Sequence, residues 1–217
     1  MLMKRFFCMA FCALLLPGLF GCASNGSSNI NSLAEAEINE YQGEKLGSIK
    51  DFRENSIKGP QKVDIKTYRL KVDGLVEKTA SYTYAEVLAN PKYSKVVTIH
   101  YVEGWDVTIL WEGVLLKDIF DRSKARAQAN TVIFHSVDGY TTSLPLKTIL
   151  DKNMILAYKM NGVVLPPERG FPFQLVAEDK LGYKWAKWID RIELSDNADY
   201  KGYWEQRGYD NDADFNN

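Results

Sequence analysis

Cysteine is missing from almost all of this chain. Of 217 residues only Cys8, Cys12 and Cys22 carry a thiol, and all three lie near the N-terminus. Three such residues are too few for a disulfide-stapled scaffold. Histidine is as scarce: His100 and His135 are the only two, each inside an apolar run. They lack the spacing of a zinc pair, such as two histidines four apart on a helix. There is no Walker loop, no dinucleotide fingerprint and no Gly-x-Ser-x-Gly elbow, so phosphate-loop chemistry and serine acyl transfer have no candidate. An excess of one charge is also absent. Lys and Arg number 27 and Asp and Glu 28, giving a net charge of −1. With a pI of about 6.2, nothing suggests the basic face that nucleic acids require. What is present is a globular composition, 46% hydrophobic and 25% charged, in a chain too short for two domains of about 150 residues each.

The one long apolar run, Phe6 to Phe20, follows Lys4 and Arg5. It is shorter than the roughly 20 residues that span a bilayer, which makes it a signal h-region. It ends in Leu19-Phe20-Gly21-Cys22, which resembles the bacterial lipobox, where cleavage leaves a lipidated N-terminal cysteine. The small polar stretch Ala23 to Asn29 suits a tether. The expected organisation is therefore a lipoprotein signal peptide at 1–21, a tether with a short helix at 22–42, and one domain at 43–217. The expected location is the bacterial cell envelope, with the lipid bilayer as partner through acylated Cys22. Without residues 1–21 the charge becomes −3, since Lys4 and Arg5 leave and all 28 acids stay. Cys8 and Cys12 leave too, and lipid takes the sulfur of Cys22. The domain then has no thiolate for a metal.

Beyond the tether, Ser32 to Tyr41 predicts a short surface helix with Glu35 in the capping-box position. Residues 43–61 read as an ordered loop. Strands are predicted at 67–72, 96–102, 107–111, 131–137, 154–160, 173–177 and 188–194, and short helices at 83–89, 115–122 and 146–150. Strands outnumber helices, so the expected class is α+β with a mixed sheet. The polar tail from Asn197 carries Tyr200, Tyr203, Trp204, Tyr209 and Phe215. Disordered tails are poor in aromatics, so 203–209 is expected to pack on the domain.

Candidate binding groups are mostly anion donors. Arg53, Asn55, Ser56 and Lys58 cluster in the first loop, Arg169 follows Pro166-Pro167, and Lys184 and Lys187 lie in GYKWAKW. Such groups near glycines can hold phosphate, although solvated surface charge is the commoner account of them. Trp185 and Trp188 beside the lysines are typical of a pocket wall. The two histidines read first as core residues bonded to backbone.

The segments DFRENSIKGPQ (51–61), HYVEGWDV (100–107), WEGVLL (111–116), FHSVDGYTTSLPL (134–146), AYKMNGVVLPPERGFPFQLV (157–176), GYKWAKWIDRIELSD (182–196) and GYWEQRGY (202–209) resemble the sulfite oxidase family of molybdopterin-binding oxidoreductase domains, in the family's order. The resemblance is closest to small bacterial single-domain members and covers about residues 43 to 212. It implies a sulfite-oxidase fold, Mo-molybdopterin as cofactor, oxo transfer of the sulfite or sulfoxide type, and a separate electron-transfer partner. It implies that Arg53, Asn55, Ser56, His100, Arg169, Lys184 and Lys187 contact the cofactor, and that Asp138 and Tyr140 lie near the metal. Gln174 stands where many relatives have arginine, and Arg169 where histidine is common.

One position departs from the family. Relatives carry their metal-ligand cysteine where this chain has Tyr101, and a phenol with a pKa near 10 is a poorer ligand at neutral pH than a thiol near 8.5. Three readings follow: an enzyme with Tyr101 or a solvent oxygen on the metal, a non-catalytic lipoprotein that binds an anionic ligand in the same pocket, or a structural protein with a filled pocket. Fold alone does not choose among them.

Overall fold

The computed structural model describes residues 30–215; the signal, lipobox and tether expectations lie outside them. Helix α1 (Ile30–Ala36) leads into a two-stranded ribbon of β1 (Glu40–Tyr41) and β2 (Glu44–Lys45). The helix begins and ends earlier than the predicted 32–41, because Tyr41 pairs with Glu44 in the ribbon.

Two sheets carry the rest. One holds β5 (Tyr93–His100), β6 (Asp106–Leu115), β9 (Ile155–Met160), β10 (Val163–Val164) and β11 (Gln174–Val176). Its order is β10-β9-β6-β5, with β11 also paired to β9, all antiparallel. The other runs β4-β3-β12-β7-β8, built from β3 (Leu70–Gly74), β4 (Ala80–Tyr82), β7 (Thr131–Ser136), β8 (Thr141–Pro145) and β12 (Ile189–Ser195). Its β12–β3 pair is parallel, so the sheet is mixed. Three short helices, α2 (Tyr84–Leu88), α3 (Leu116–Ser123) and α4 (Leu146–Asp151), complete an α+β domain. Among the described residues no helix is long and apolar enough to cross a membrane.

Local chemistry explains these elements. Thr83 and Glu86 form a reciprocal capping box at the start of α2, worth about 1 kcal/mol. The β5–β6 hairpin turns through Gly104 at φ +79°, a conformation that costs glycine little. Strand β6 runs beyond both predicted limits, while β5 starts three residues before its predicted start and ends at His100, two short of its predicted end, because pairing runs from Tyr93↔Gly113 to His100↔Asp106. Buried residues of both sheets, among them Trp111, Phe134, Phe173 and Ile192, share one core.

Strand β8 was not expected from its sequence, Thr-Thr-Ser-Leu-Pro. Its burial comes from the tail. Tyr203 N–H donates to the Thr141 carbonyl at 2.8 Å, and Gly202 lies so close that an added Cβ would sit 2.2 Å from that oxygen. The tail thus covers an edge strand that would otherwise be open, and residues 203–209 pack on the domain as expected.

Candidate functional site

Five chain segments meet at a cavity of about 210 Å³: the first loop at Asn55 to Ile57, the β5–β6 turn at Tyr101 to Glu103, the β7–β8 turn, the Gly182 to Trp188 stretch, and the tail through Trp204 and Tyr209. The β7–β8 turn is closed by Gly139 N–H to the Ser136 carbonyl at 2.8 Å and Ser136 N–H to the Tyr140 carbonyl at 3.0 Å. Asp138, 3% exposed, accepts the Tyr140 N–H at 3.0 Å through Oδ1. The Tyr140 hydroxyl donates to the Tyr183 carbonyl, and burial, with Glu205 nearby, holds that phenol neutral. Ser136 is part of the lining, and its Oγ is buried with no hydrogen-bond partner among the described residues. A buried polar atom in that condition is costly unless something fills the space beside it.

Tyr101 is held on two sides. Its ring stacks on Trp105 with centroids 3.8 Å apart and planes at 13°. Behind it is Gly182, where an added Cβ would fall 2.6 Å from ring carbons Cδ1 and Cε1. The backbone of 101–105 folds into a tight turn, with Gly104 N–H bonded to the Tyr101 carbonyl and Tyr101 N–H to the Trp105 carbonyl, both at 3.0 Å. Burial pushes the Tyr101 hydroxyl well above the ordinary phenol range, against the opposing pull of Arg169 and a hydrogen bond with Asn55. Tyr101 is therefore a neutral phenol, a donor and not a phenolate.

The expected anion donors divide. Lys187 lines the cavity, its ammonium 3.4 Å from Glu54 and 4.8 Å from the Trp188 ring centroid. Desolvation lowers its pKa, while Glu54 and Asp138 act the other way. Burial would raise Glu54, but Lys187 and hydrogen bonds from Ser56 hold it below its usual range. The Ser56 hydroxyl is thus occupied by Glu54.

Lys184 points elsewhere. It is fully buried against Glu205 at 2.5 Å, with the Ser143 carbonyl and Asn211 Oδ1 as further acceptors. Arg169, 6% exposed, donates to the Ile49 and Phe52 carbonyls, each at 3.1 Å, and so fastens the first loop. Arg53 is exposed and outside the cavity lining. His100 also lies outside it, stacked on Phe215 at 3.5 Å with Nδ1 3.7 Å from Asp106. His135 belongs to an ion network with Glu193 at 3.0 Å and Arg191 at 3.1 Å. Both histidines therefore face carboxylates, where backbone partners were expected. Ser136, Tyr183, Trp204 and Tyr209 were not singled out as site residues. The aromatic content of a polar tail was the available signal for the last two.

The family model for the oxidoreductase molybdopterin-binding domain matches residues 57–204. The uncharacterized oxidoreductase YuiH of Bacillus subtilis (strain 168) is 36% identical over 151 residues, covering 69% of this chain and 76% of its own length. The putative protein-methionine-sulfoxide reductase subunit YedZ1 of Azospira oryzae is 35% identical over 149 residues, covering 69% of this chain and 56% of its own. Mitochondrial sulfite oxidase of Rattus norvegicus is 29% identical over 128 residues, covering 54% of this chain and 23% of its own. In fold, the chain resembles the sulfane dehydrogenase SoxCD from Paracoccus pantotrophus, with a TM-score of 0.61 at 22% identity over 66% of this chain and 41% of that one. This chain belongs to the oxidoreductase molybdopterin-binding domain family and has its sulfite-oxidase fold. It spans about half of the Azospira relative and less of the sulfite oxidase.

Membership implies Mo-molybdopterin as the group for this site, and the residues present do not fit it. The described residues contain no cysteine, so none of them supplies the thiolate that the resemblance assigns to the metal. The position that the family resemblance gives to the metal's thiolate holds a phenol ring clamped between Trp105 and Gly182. Of the cations expected on a phosphate, Lys184 and Arg169 are bonded inward. Lys187 is shared with Glu54.

Proposed function

We propose that this chain is a non-redox member of its family, a lipid-anchored envelope protein whose retained pocket binds a small ligand in place of the molybdenum cofactor. The oxo-transfer reading implied by the resemblance would have to replace the family's thiolate with the Tyr101 oxygen or a solvent oxygen. The observation that carries the proposal is the placement of Tyr101: a bulky ring at the position of the relatives' ligand cysteine, stacked on Trp105 at 3.8 Å and backed by Gly182. A filled, purely structural pocket is less well supported, because a cavity remains and Ser136 in its wall keeps a buried hydroxyl without a partner.

Anchoring rests on Leu19-Phe20-Gly21-Cys22 and the tether after it. Cys22→Ser should leave the protein unprocessed and free of diacylglyceryl label; unchanged processing and membrane fractionation would refute the anchor. For the pocket, molybdenum and released pterin should be measured in protein purified from a host that makes the cofactor. The expected content is far below one molybdenum per chain. Near-stoichiometric molybdenum in the wild type, lost in Tyr101→Phe, would overturn the proposal by making the phenol oxygen a working ligand.

A further inference from the structure

The charge inside the cavity is opposite in sign to what a phosphorylated cofactor needs. Asp138, Glu103 and Lys187 are the only charged residues of its lining. Lys187 is already paired with Glu54 at 3.4 Å. Asp138 and Glu103 enter no ion pair among the described residues. Asp138 meets the Tyr140 N–H and Glu103 the Trp105 indole N–H, both neutral donors. Lys58 approaches Gly139 from the exposed side and is not part of the lining. Among the described residues the cavity thus holds two carboxylates outside any ion pair, with Lys187, whose ion-pair partner is Glu54, the one cation of the lining and near enough to Asp138 to feel its charge.

Its walls are aromatic. Seven of sixteen lining residues are Tyr or Trp. Those at the tail do not form a parallel slot for a flat ring system. Tyr183 meets Tyr209 edge-on at 72° with centroids 5.2 Å apart, and Trp204 meets Tyr209 at 52° and 5.1 Å. Rings set at steep angles make a corner, which encloses a rounded group better than a planar one. Aromatic faces attract cations through their quadrupole, and most strongly those with little hydration to lose. A primary ammonium would need several acceptors around a compact charge, whereas the buried acceptors here are Asp138 and the unpartnered Ser136 Oγ.

We propose that this cavity is a binding site for a quaternary ammonium group such as that of choline, with Tyr183, Trp204 and Tyr209 as its cage and Asp138 as its counter-charge. This rests on the metal-free reading of the pocket and names its ligand class.

The test is titration of the full chain with tetramethylammonium chloride and with choline chloride at constant ionic strength, followed by tryptophan fluorescence and calorimetry. The comparators are 3,3-dimethylbutanol, the uncharged isostere of choline, and sodium phosphate. Saturable binding of both cations is expected, with the isostere weaker by about tenfold or more. Asp138→Asn keeps an oxygen for the Tyr140 N–H, so the turn survives and cation binding should fall by about tenfold. Tyr209→Leu, at an exposed position, should lose binding that Tyr209→Phe retains. Equal affinity for the isostere, or saturation by phosphate but not by the cations, would overturn the assignment. Molybdenum is measured on the same sample. A loaded metal sinks the underlying reading, whereas metal-free protein that ignores both cations sinks only the choice of ligand.

Discussion

Lys184 and Lys187 sit three residues apart in one GYKWAKW stretch, and their surroundings are opposite. Lys184 is fully buried and fully bonded, to Glu205, Ser143 and Asn211. Lys187 lies at a cavity wall, with one carboxylate at 3.4 Å and a ring beneath it. A buried, satisfied ion pair fixes two segments in register: here it ties the stretch before β12 to the tail that carries Trp204 and Tyr209. A loosely paired charge beside open space can still change partner. Residue type is the same in both, and each precedes a tryptophan; what differs is the segment brought next to each, the tail at Lys184 and the first loop at Lys187.

The sharpest way to break the comparison is to remove each lysine. Lys184→Met leaves Glu205 buried without its cation, and breaking a buried pair from one side costs about 3–5 kcal/mol. Urea unfolding should show that loss, and proteolysis should reach the tail sooner. Because well-packed apolar pairs can replace buried ion pairs at little cost, Lys184→Met with Glu205→Leu should recover most of it. Lys187→Met should cost no more than about 1 kcal/mol, as its partner Glu54 is partly solvated. Equal losses at the two positions would remove the distinction.

The next test concerns how the cavity wall holds Tyr101. Gly182→Ala puts a Cβ 2.6 Å from two ring carbons, and overpacking of that kind costs about 1–3 kcal/mol. Tyr101→Cys removes the ring and its stacking on Trp105. In that background Gly182→Ala should cost almost nothing, so a double-mutant cycle should give a coupling of about 0.5–3 kcal/mol. Additive effects would mean that the ring moves aside freely and is not clamped. Tyr101→Cys also restores a thiol at the family's ligand position. A sulfur-to-metal absorption band in that variant alone would show that residue 101 decides metal loading.

These contrasts mark what the sequence could and could not reveal. Alternating β-branched runs made most strands legible, and the motif order around HYVEGW and GYKWAKW identified family and fold. Strands β8 and β4 were missed because their pairing depends on neighbours far along the chain: the tail at Gly202 and Tyr203 for β8, and β3 for β4. At the site, Asp138, Tyr140, Asn55, Ser56, Tyr101 and Lys187 do line one cavity. Lys184 and Arg169 carried the same signal and point inward, since nothing in their local sequence says which acceptors will face them. Glu205 and the Ile49 and Phe52 carbonyls are tertiary facts.

The smallest expected effect is a pH dependence that separates the looser pair from the charges on the other sheet. Glu54 is held below its ordinary value of 4.5 because Lys187 and the Ser56 bonds outweigh burial. In the unfolded chain its carboxyl binds a proton at higher pH than in the folded one. Stability from this group is therefore complete above about pH 4.5 and declines as pH falls through the lower folded value. Asp73 is lowered in the same sense by Arg191 and Lys71, which outweigh its own burial. It contributes a similar slope that Lys187 does not touch. Urea midpoints between pH 3 and 5 should fall more steeply for the wild type than for Lys187→Met, by less than about 1 kcal/mol across the window. Part of the slope left in the variant comes from Asp73 and should shrink with Arg191→Met. If Lys187→Met leaves the profile unchanged, Glu54 is held down by Ser56 alone, and Lys187 is free to turn toward Asp138 and the cavity.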